Sequence, residues 1–297
     1  MSAIWSIGGY STRDALVEIE CHMSNSLPSI VIVGSASRAV DEAKERIRGA
    51  FTSAGLNLPR KRITVNLAPA DVPKNDSSLD LAIAVAILHV SKQIPSNRLR
   101  KTVVIGELGL AGDVRSSRGI IGKILSARRL GYKDFVIPAR NISQAQLIPG
   151  VRLVPVEDLR QLYVYLSTGT SIAPIDTKQG LSDVDMPATD TDDRPQLSQV
   201  VGQDGAKRAL EIVAAGGHNL LLSGPPGTGK SMLAKSLPSL LPPLTREEIL
   251  EVTHLHSLAN SNYEALVVQR PFRAPHHSAS PVSIMGARIN PQNANLK

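Results

Sequence analysis

The stretch 219-NLLLSGPPGTGKSMLAKSL-237 decides how this chain is read. The run 218–222, HNLLL, is short and largely apolar, as a buried strand would be. GPPGTGKS (224–231) follows as a glycine-rich turn, and SMLAKSL continues as a helix. The octet fits G-x-x-x-x-G-K-[ST], and its strand–turn–helix setting separates it from a chance glycine-rich loop. Glycines let the backbone wrap closely and aim its N–H groups at phosphate oxygens. The helix N-terminus adds a partial positive charge. The spacing therefore predicts that Gly224, Pro225, Pro226, Gly227, Thr228, Gly229, Lys230 and Ser231 cradle ATP. Lys230 would bridge the β- and γ-phosphates, and the Ser231 hydroxyl would ligate Mg²⁺.

Binding is half of hydrolysis. A phosphate-loop ATPase also holds Mg²⁺ through an acidic residue at the end of a neighbouring strand. It orients a water, and usually takes an arginine from a neighbour. After Lys230 the carboxylates are Glu247, Glu248, Glu251 and Glu264. The first three lie in TREEILEVTHLHSL, where Thr245 and Glu248 fit the S/T-x-x-E box of a helix start. Glu264 precedes ALVV rather than following it. None ends an apolar strand, so the loop is expected to bind nucleotide beside an incomplete hydrolytic site, with no catalytic residue assigned.

Upstream lies SIAPIDTKQGLSDVDMPATDTDDRP (171–195), with two basic residues against six acidic and no aromatic. Such a segment buries too little apolar surface to offset its ordering entropy and is expected to be a linker. It separates residues 1–170, with 22 basic and 14 acidic, from residues 196–297, with 9 and 6. The first region mixes strands and helices. Residues 17–20 alternate as a half-buried strand, and 29–33 and 62–67 read as further strands. Val40, Ala43, Ile47, Ala50 and Phe51 share one helical face, with Gly55 placed as a C-cap. Residues 79–90 form a helix buried nearly all round. Strands at 102–105 and 135–137 and helices at 119–130 and 156–166 complete the pattern, which is mixed rather than strictly alternating.

Aromatic residues make up 3% of the chain, so its cores must be aliphatic. The net charge of +7 permits an acidic partner such as nucleic acid without requiring one. The single cysteine, Cys21, rules out an internal disulfide and fits a reducing compartment. The opening MSAIWSIGGYSTRDALVEIE lacks the basic start and apolar core of a signal peptide. LDLAIAVAILHV (79–90) is too short to span a bilayer. A cytoplasmic protein is expected.

Several segments resemble the ComM/YifB group of magnesium chelatase-like AAA+ proteins. VVGQDGAKRALEIVAAGGHNLLLSGPPGTGKSMLAKSLPSLLPPLTREEILEVTHLHSLA and QRPFRAPHHSAS are similar to its ATPase region. LPSIVIVG, ERIRGAFTSAGLNLPRKRITVNLAPADVPKNDSSLDLAIAVAIL and GELGLAGDVRSSRGI are similar to its N-terminal domain. The resemblance implies an α/β fold class. Its first part would be an α+β domain of the ribosomal S5 domain 2-like type, also used by the proteolytic domain of Lon. Its second would be an incomplete P-loop AAA+ α/β domain. It also implies hexameric rings and a DNA partner, in proteins that drive branch migration during transformation and recombination. The text PVSIMGARINPQNANLK (281–297) departs from the group's pattern, which continues with the acidic strand end, sensors, arginine finger and lid. A member shortened within the AAA+ domain is expected, keeping ATP binding while hydrolysis is in doubt. The alternative is a non-enzymatic module that binds DNA or a partner beside a vestigial ATPase region.

The Lon-like resemblance raises a serine–lysine pair. Its nucleophile position falls on Ser78 in PKNDSSLDLAIA, and its lysine position on Ile121. Lys123, two residues on, would point about 200° away around a helix. Ser78 is therefore expected to be a helix N-cap, and proteolysis is not expected. Arg60, Lys61, Arg62, Arg115, Arg118, Arg128 and Arg129 are candidate phosphate contacts, though solvated surface accounts for most such residues. Arg273, His276 and His277 form a polar cluster, too poor in ligands for a metal site. His254 and His256 are expected on the surface.

Overall fold

A computed structural model describes residues 3–8, 15–34, 38–70, 74, 77–95, 98–99, 101–177, 195–259 and 264–280. Most of the expected linker (178–194) and the divergent tail (281–297) lie outside the described residues. The chain divides into two compact units, Met1–Asp185 with Thr253–Leu266, and Met186–Val252 with Val267–Lys297.

The first unit is built on an eight-stranded mixed sheet. Its strands are β1 (Ile4–Gly8), β2 (Ala15–Ser24), β3 (Ser29–Val33), β4 (Arg62–Ala68), β5 (Thr102–Val104), β8 (Asp134–Pro138), β9 (Arg152–Val156) and β10 (Ile175–Asp176). They run in the order β10-β9-β8-β5-β1-β2-β4-β3. A separate hairpin joins β6 (Glu107–Leu108) to β7 (Val114–Arg115). The β2–β4 pair is antiparallel and fixes register across seven residues, from Glu18 opposite Ala68 to Ser24 opposite Arg62. β5, β8 and β9 run parallel, and β1 pairs parallel to β5, where the Ser6 hydroxyl also donates to the Val104 carbonyl at 2.6 Å. The fold class is α/β, as expected.

The helices follow their sequence patterns. In α1 (Arg38–Ser53), Ala43, Ile47, Ala50 and Phe51 are fully buried, as predicted from 3.6-residue spacing, while the side chain of Val40, expected on the same face, lies outside the described residues. In α2 (Asp80–Val90), every residue from Asp80 to Leu88 is buried, so the helix is apolar all round because it has protein on all sides. It lies against β1 and β2, with α1 beside it. α3 (Ile120–Arg129) is nearly as enclosed, with Ile120, Ile121, Gly122, Lys123, Ile124 and Ala127 buried. The short α4 (Ile142–Ala145) and α5 (Leu159–Thr168) lie by β9. The expected helix at 156–166 begins instead at Leu159, because Val156 ends β9 and the Asp158 carboxylate caps the helix by accepting from the Gln161 N–H at 2.7 Å.

The second unit contains α6 (Asp204–Gly216) and α7 (Lys230–Leu240), and α8 (Arg246–Ala259) begins in it. Its core is small: Val200, Leu210 and Leu233 are buried, with Leu197, Ala206, Leu222, Leu237 and Leu240 packed partly against them. No strand forms in this unit among the described residues. The expected strand at 218–222 forms no ladder, and Leu221 is 90% exposed. The expected strand at ALVV (265–268) is likewise absent. A strand is a paired object, and no described segment of the unit offers these residues a partner.

Candidate functional site

The glycine-rich turn sits where the sequence placed it, directly before α7. Gly227 and Gly229 adopt φ of 82° and 83°, a region that costs little only without a Cβ. A Cβ added at either would meet nothing within 4 Å, so backbone conformation rather than crowding calls for glycine there. Thr228 stabilises the turn by donating its hydroxyl to the Pro225 carbonyl at 3.0 Å. Lys230 opens the helix, and its ammonium curls back over the loop. It donates to the carbonyls of Gly224 and Pro225 at 2.9 and 2.6 Å and contacts the Thr228 hydroxyl at 3.2 Å. Pro226 and Ser231 are exposed, Ser231 one residue into the helix. The predicted residues are therefore contiguous around one positively charged turn at the N-terminus of an 11-residue helix. The donor set fits a phosphate chain: helix-end N–H groups, an ammonium and a hydroxyl.

Of the four carboxylates after the loop, Glu248 and Glu264 are engaged elsewhere, and Glu247 and Glu251 are exposed on α8. Glu248 accepts from the Thr245 N–H at 2.8 Å while its own N–H donates to the Thr245 hydroxyl at 3.3 Å, the reciprocal box read from the sequence. It also pairs with Arg270 at 3.4 Å, and these contacts hold its carboxyl below the usual range. Glu264 accepts from the Ser116 hydroxyl within the first unit.

The exposed His276 and His277 have ring centroids 4.1 Å apart, and the His276 Nδ1 is shared with the Ser278 hydroxyl at 2.7 Å. Among the described residues, no group of three or more His, Cys, Asp or Glu is placed to hold a metal ion. His254 and His256 depart from the surface reading: both are half-buried, and desolvation lowers the pKa of His254. Arg60, Lys61, Arg62, Arg118, Arg128 and Arg129 are exposed. Arg115 is exposed too and pairs with Glu107 and Asp113 at 3.7 and 3.4 Å.

The structure overturns the sequence reading of Ser78 and Lys123. Ser78 is not the cap of α2: it lies inside the 3-10 turn Ser77–Leu79, the cap position is Leu79, and no side chain caps the helix. The Lys123 ammonium donates to the Ser78 hydroxyl at 2.8 Å and to the Ser117 hydroxyl at 2.8 Å. Ser78 and Lys123 are 1% and 3% exposed. The 200° argument started from Ile121 as the position facing Ser78, and that starting point is what the structure overturns. With both Ile121 and Lys123 buried, the Lys123 side proves to be the one facing Ser78. Asn141 positions Ser117 by accepting from its N–H at 2.8 Å and donating to its carbonyl at 3.3 Å. Next to Ser78, Asp80 is buried and accepts from Arg46 at 2.6 and 3.1 Å and from the Leu108 N–H at 3.4 Å. Burial still pushes its carboxyl up to about 6, against the pull of Arg46.

A mixed α/β protein with a phosphate-loop-type turn on a helix N-terminus is the class these features define. The comparisons narrow it. The family described as subunit ChlI of Mg-chelatase matches residues 19–141, and the one described as magnesium chelatase, subunit ChlI, matches residues 196–296. Competence protein ComM of Haemophilus influenzae is 39% identical over 295 residues, covering 98% of this chain and 57% of that protein. The uncharacterized protein YifB of Escherichia coli K12 is 40% identical over 280 residues, covering 93% and 53%. A mycobacterial relative, the uncharacterized protein Rv2897c of Mycobacterium tuberculosis, is 40% identical over 273 residues, covering 91% and 53%. The chain belongs to the ComM/YifB family of magnesium chelatase-like proteins. It spans a little over half the length of these curated relatives. Among the described residues, no helix is long and apolar enough to cross a membrane.

Proposed function

We propose that this chain binds ATP with Mg²⁺ through residues 224–231 and serves a DNA-processing role like that expected of its family. The observation that carries the reading is the turn itself, with Lys230 and the α7 N-terminus converging on one loop. Gly224, Pro225, Pro226, Gly227, Thr228 and Gly229 supply the backbone cradle. Lys230 would leave the loop carbonyls for the phosphates, and Ser231 would ligate Mg²⁺. The nucleotide supplies the phosphate anhydride whose binding energy organises the loop; the chain's own groups bind and orient it. The name of the Haemophilus relative points to competence, which supports DNA as partner in a cytoplasmic setting. An oligomeric ring is part of the same reading.

Binding exceeds turnover in this reading. A magnesium-holding carboxylate is needed beside the loop, and Glu248 and Glu264 are committed to Thr245, Arg270 and Ser116. Phosphate release is the test. With ATP, Mg²⁺ and either single-stranded or branched DNA, the chain should release phosphate no faster than its Lys230→Ala variant. A thermal shift should meanwhile show ATP stabilising the parent chain alone, by about 2.7 kcal/mol at a hundredfold excess over Kd. Lys230-dependent turnover would show that a carboxylate does complete the site and would sink the binding-only part. ATP that stabilises neither protein would sink the reading altogether.

A further inference from the structure

A cavity of about 170 Å³ lies at the amino ends of β5, β8 and β9, beside the last turn of α5. Strand register builds one wall. Thr102 stands opposite Asp134, and Asp134 opposite Arg152, in a row across three parallel strands. Two residues on, Val136 and Val154 share that face and are buried, and with Leu166 of α5 they make an apolar floor. Tyr165 and Arg98 line the remaining sides.

Three polar groups of this lining are without partners among the described residues. Thr102 is 8% exposed, yet its hydroxyl makes no hydrogen bond. An unpaired buried hydroxyl is costly and uncommon in folded proteins. The Tyr165 hydroxyl makes none either, and Arg98 makes neither a hydrogen bond nor an ion pair. Arg98 is nonetheless held in place. A Cβ at Gly169 would collide with its guanidinium, and Gly169 takes φ of 83°, so the end of α5 leaves room for the cation. A helix C-terminus attracts such a charge. Arg152 and Asp134 stand 3.9 Å apart and offset each other, so Arg98 leaves the cavity with one positive charge in excess.

We propose that this cavity binds a monocarboxylate with a short apolar body. The carboxylate pairs with the Arg98 guanidinium, whose planar fork matches two oxygens, and accepts from the Thr102 and Tyr165 hydroxyls. The apolar body rests on Val136, Val154 and Leu166. A single excess charge favours a carboxylate over a phosphate monoester, which carries nearly two negative charges at neutral pH. The same chemistry comes from a free small acid or from a polypeptide chain end with an apolar last residue, and the test separates the two. Neither the nucleotide-binding turn nor its reading enters this proposal.

Saturation-transfer difference NMR on the whole chain, titrated with 4-methylpentanoate, reads the affinity. Saturable binding is expected, weakened at least about tenfold in Arg98→Ala by loss of a charge-assisted hydrogen bond. Thr102→Val keeps the side-chain shape without the hydroxyl and should weaken binding about fivefold. The neutral 4-methylpentanamide should bind at least about tenfold more weakly than the acid. If acetyl-Gly-Gly-Leu displaces the acid while its C-terminal amide does not, the ligand is a chain end; if neither peptide displaces it, the ligand is a free acid. No saturable binding, equal binding of the amide, or displacement by inorganic phosphate at equal concentration overturns the proposal. Binding unchanged in Arg98→Ala does the same, and because Arg98 is exposed, that variant decides alone should Thr102→Val fail to fold.

Discussion

Asp80 shows how single residues in this protein balance burial against pairing. Desolvation raises its carboxyl from 3.8 to about 6, even though Arg46 binds it through two nitrogens. A raised carboxylate pKa means that the native state holds more protons than the unfolded chain between those two values. Its contribution is thus fully present below about pH 3.8 and is lost as pH rises through about 6. Urea midpoints of parent and Asp80→Asn chains should therefore differ in their pH dependence across this window; parallel curves would contradict the assignment. At this scale the sequence was informative where chemistry is local. The Thr245–Glu248 box and the glycines of the turn were legible because their partners lie within four residues. Ser78 and Lys123 were not, because their meeting depends on how the enclosed α3 is rotated towards the turn before α2, and helical spacing says nothing of that rotation when several faces of the helix are buried.

Among the elements, those with one buried face read well. β2, β3, β4 and α1 carry clear periods of two or 3.6 residues, and their observed bounds lie within a few residues of those expected. Phe51 anchors α1 at zero exposure, so Phe51→Ala should cost about 3–5 kcal/mol in chemical denaturation. A loss under 1 kcal/mol would mean that α1 is not the core helix described. β9 was missed because Pro155 argues against a strand interior, and β1 because the apolar residues of IWSIG (Ile4, Trp5, Ile7) do not alternate with polar ones. The reverse error came at 218–222, where apolar composition suggested a strand that has no partner to pair with. The cap of α8 is open to direct measurement: Thr245→Ala removes a hydroxyl acceptor and should destabilise the second unit by about 1 kcal/mol. An unchanged midpoint would leave the box without energetic weight.

Over the whole molecule the two units are unequal. The first buries a continuous aliphatic core between its sheet and helices, whereas the second closes only a small cluster around Val200, Leu210 and Leu233. Hydrophobic burial scales with that area, so the second unit should unfold first and the first unit later. Calorimetry of the intact chain should show two transitions; one two-state transition, with equal calorimetric and van't Hoff enthalpies, would argue against unequal units. The central claim concerns what the weaker unit retains. Its turn keeps the eight motif residues, two glycines in the left-handed region and a lysine at the helix start, although it sits on a small core and no strand precedes it among the described residues. Isothermal titration of the chain with Mg²⁺ and ATP, beside Lys230→Ala, tests this most directly. The account predicts saturable binding of one nucleotide per chain that disappears in the variant. Binding of equal strength in the variant, or none in the parent chain, would contradict it.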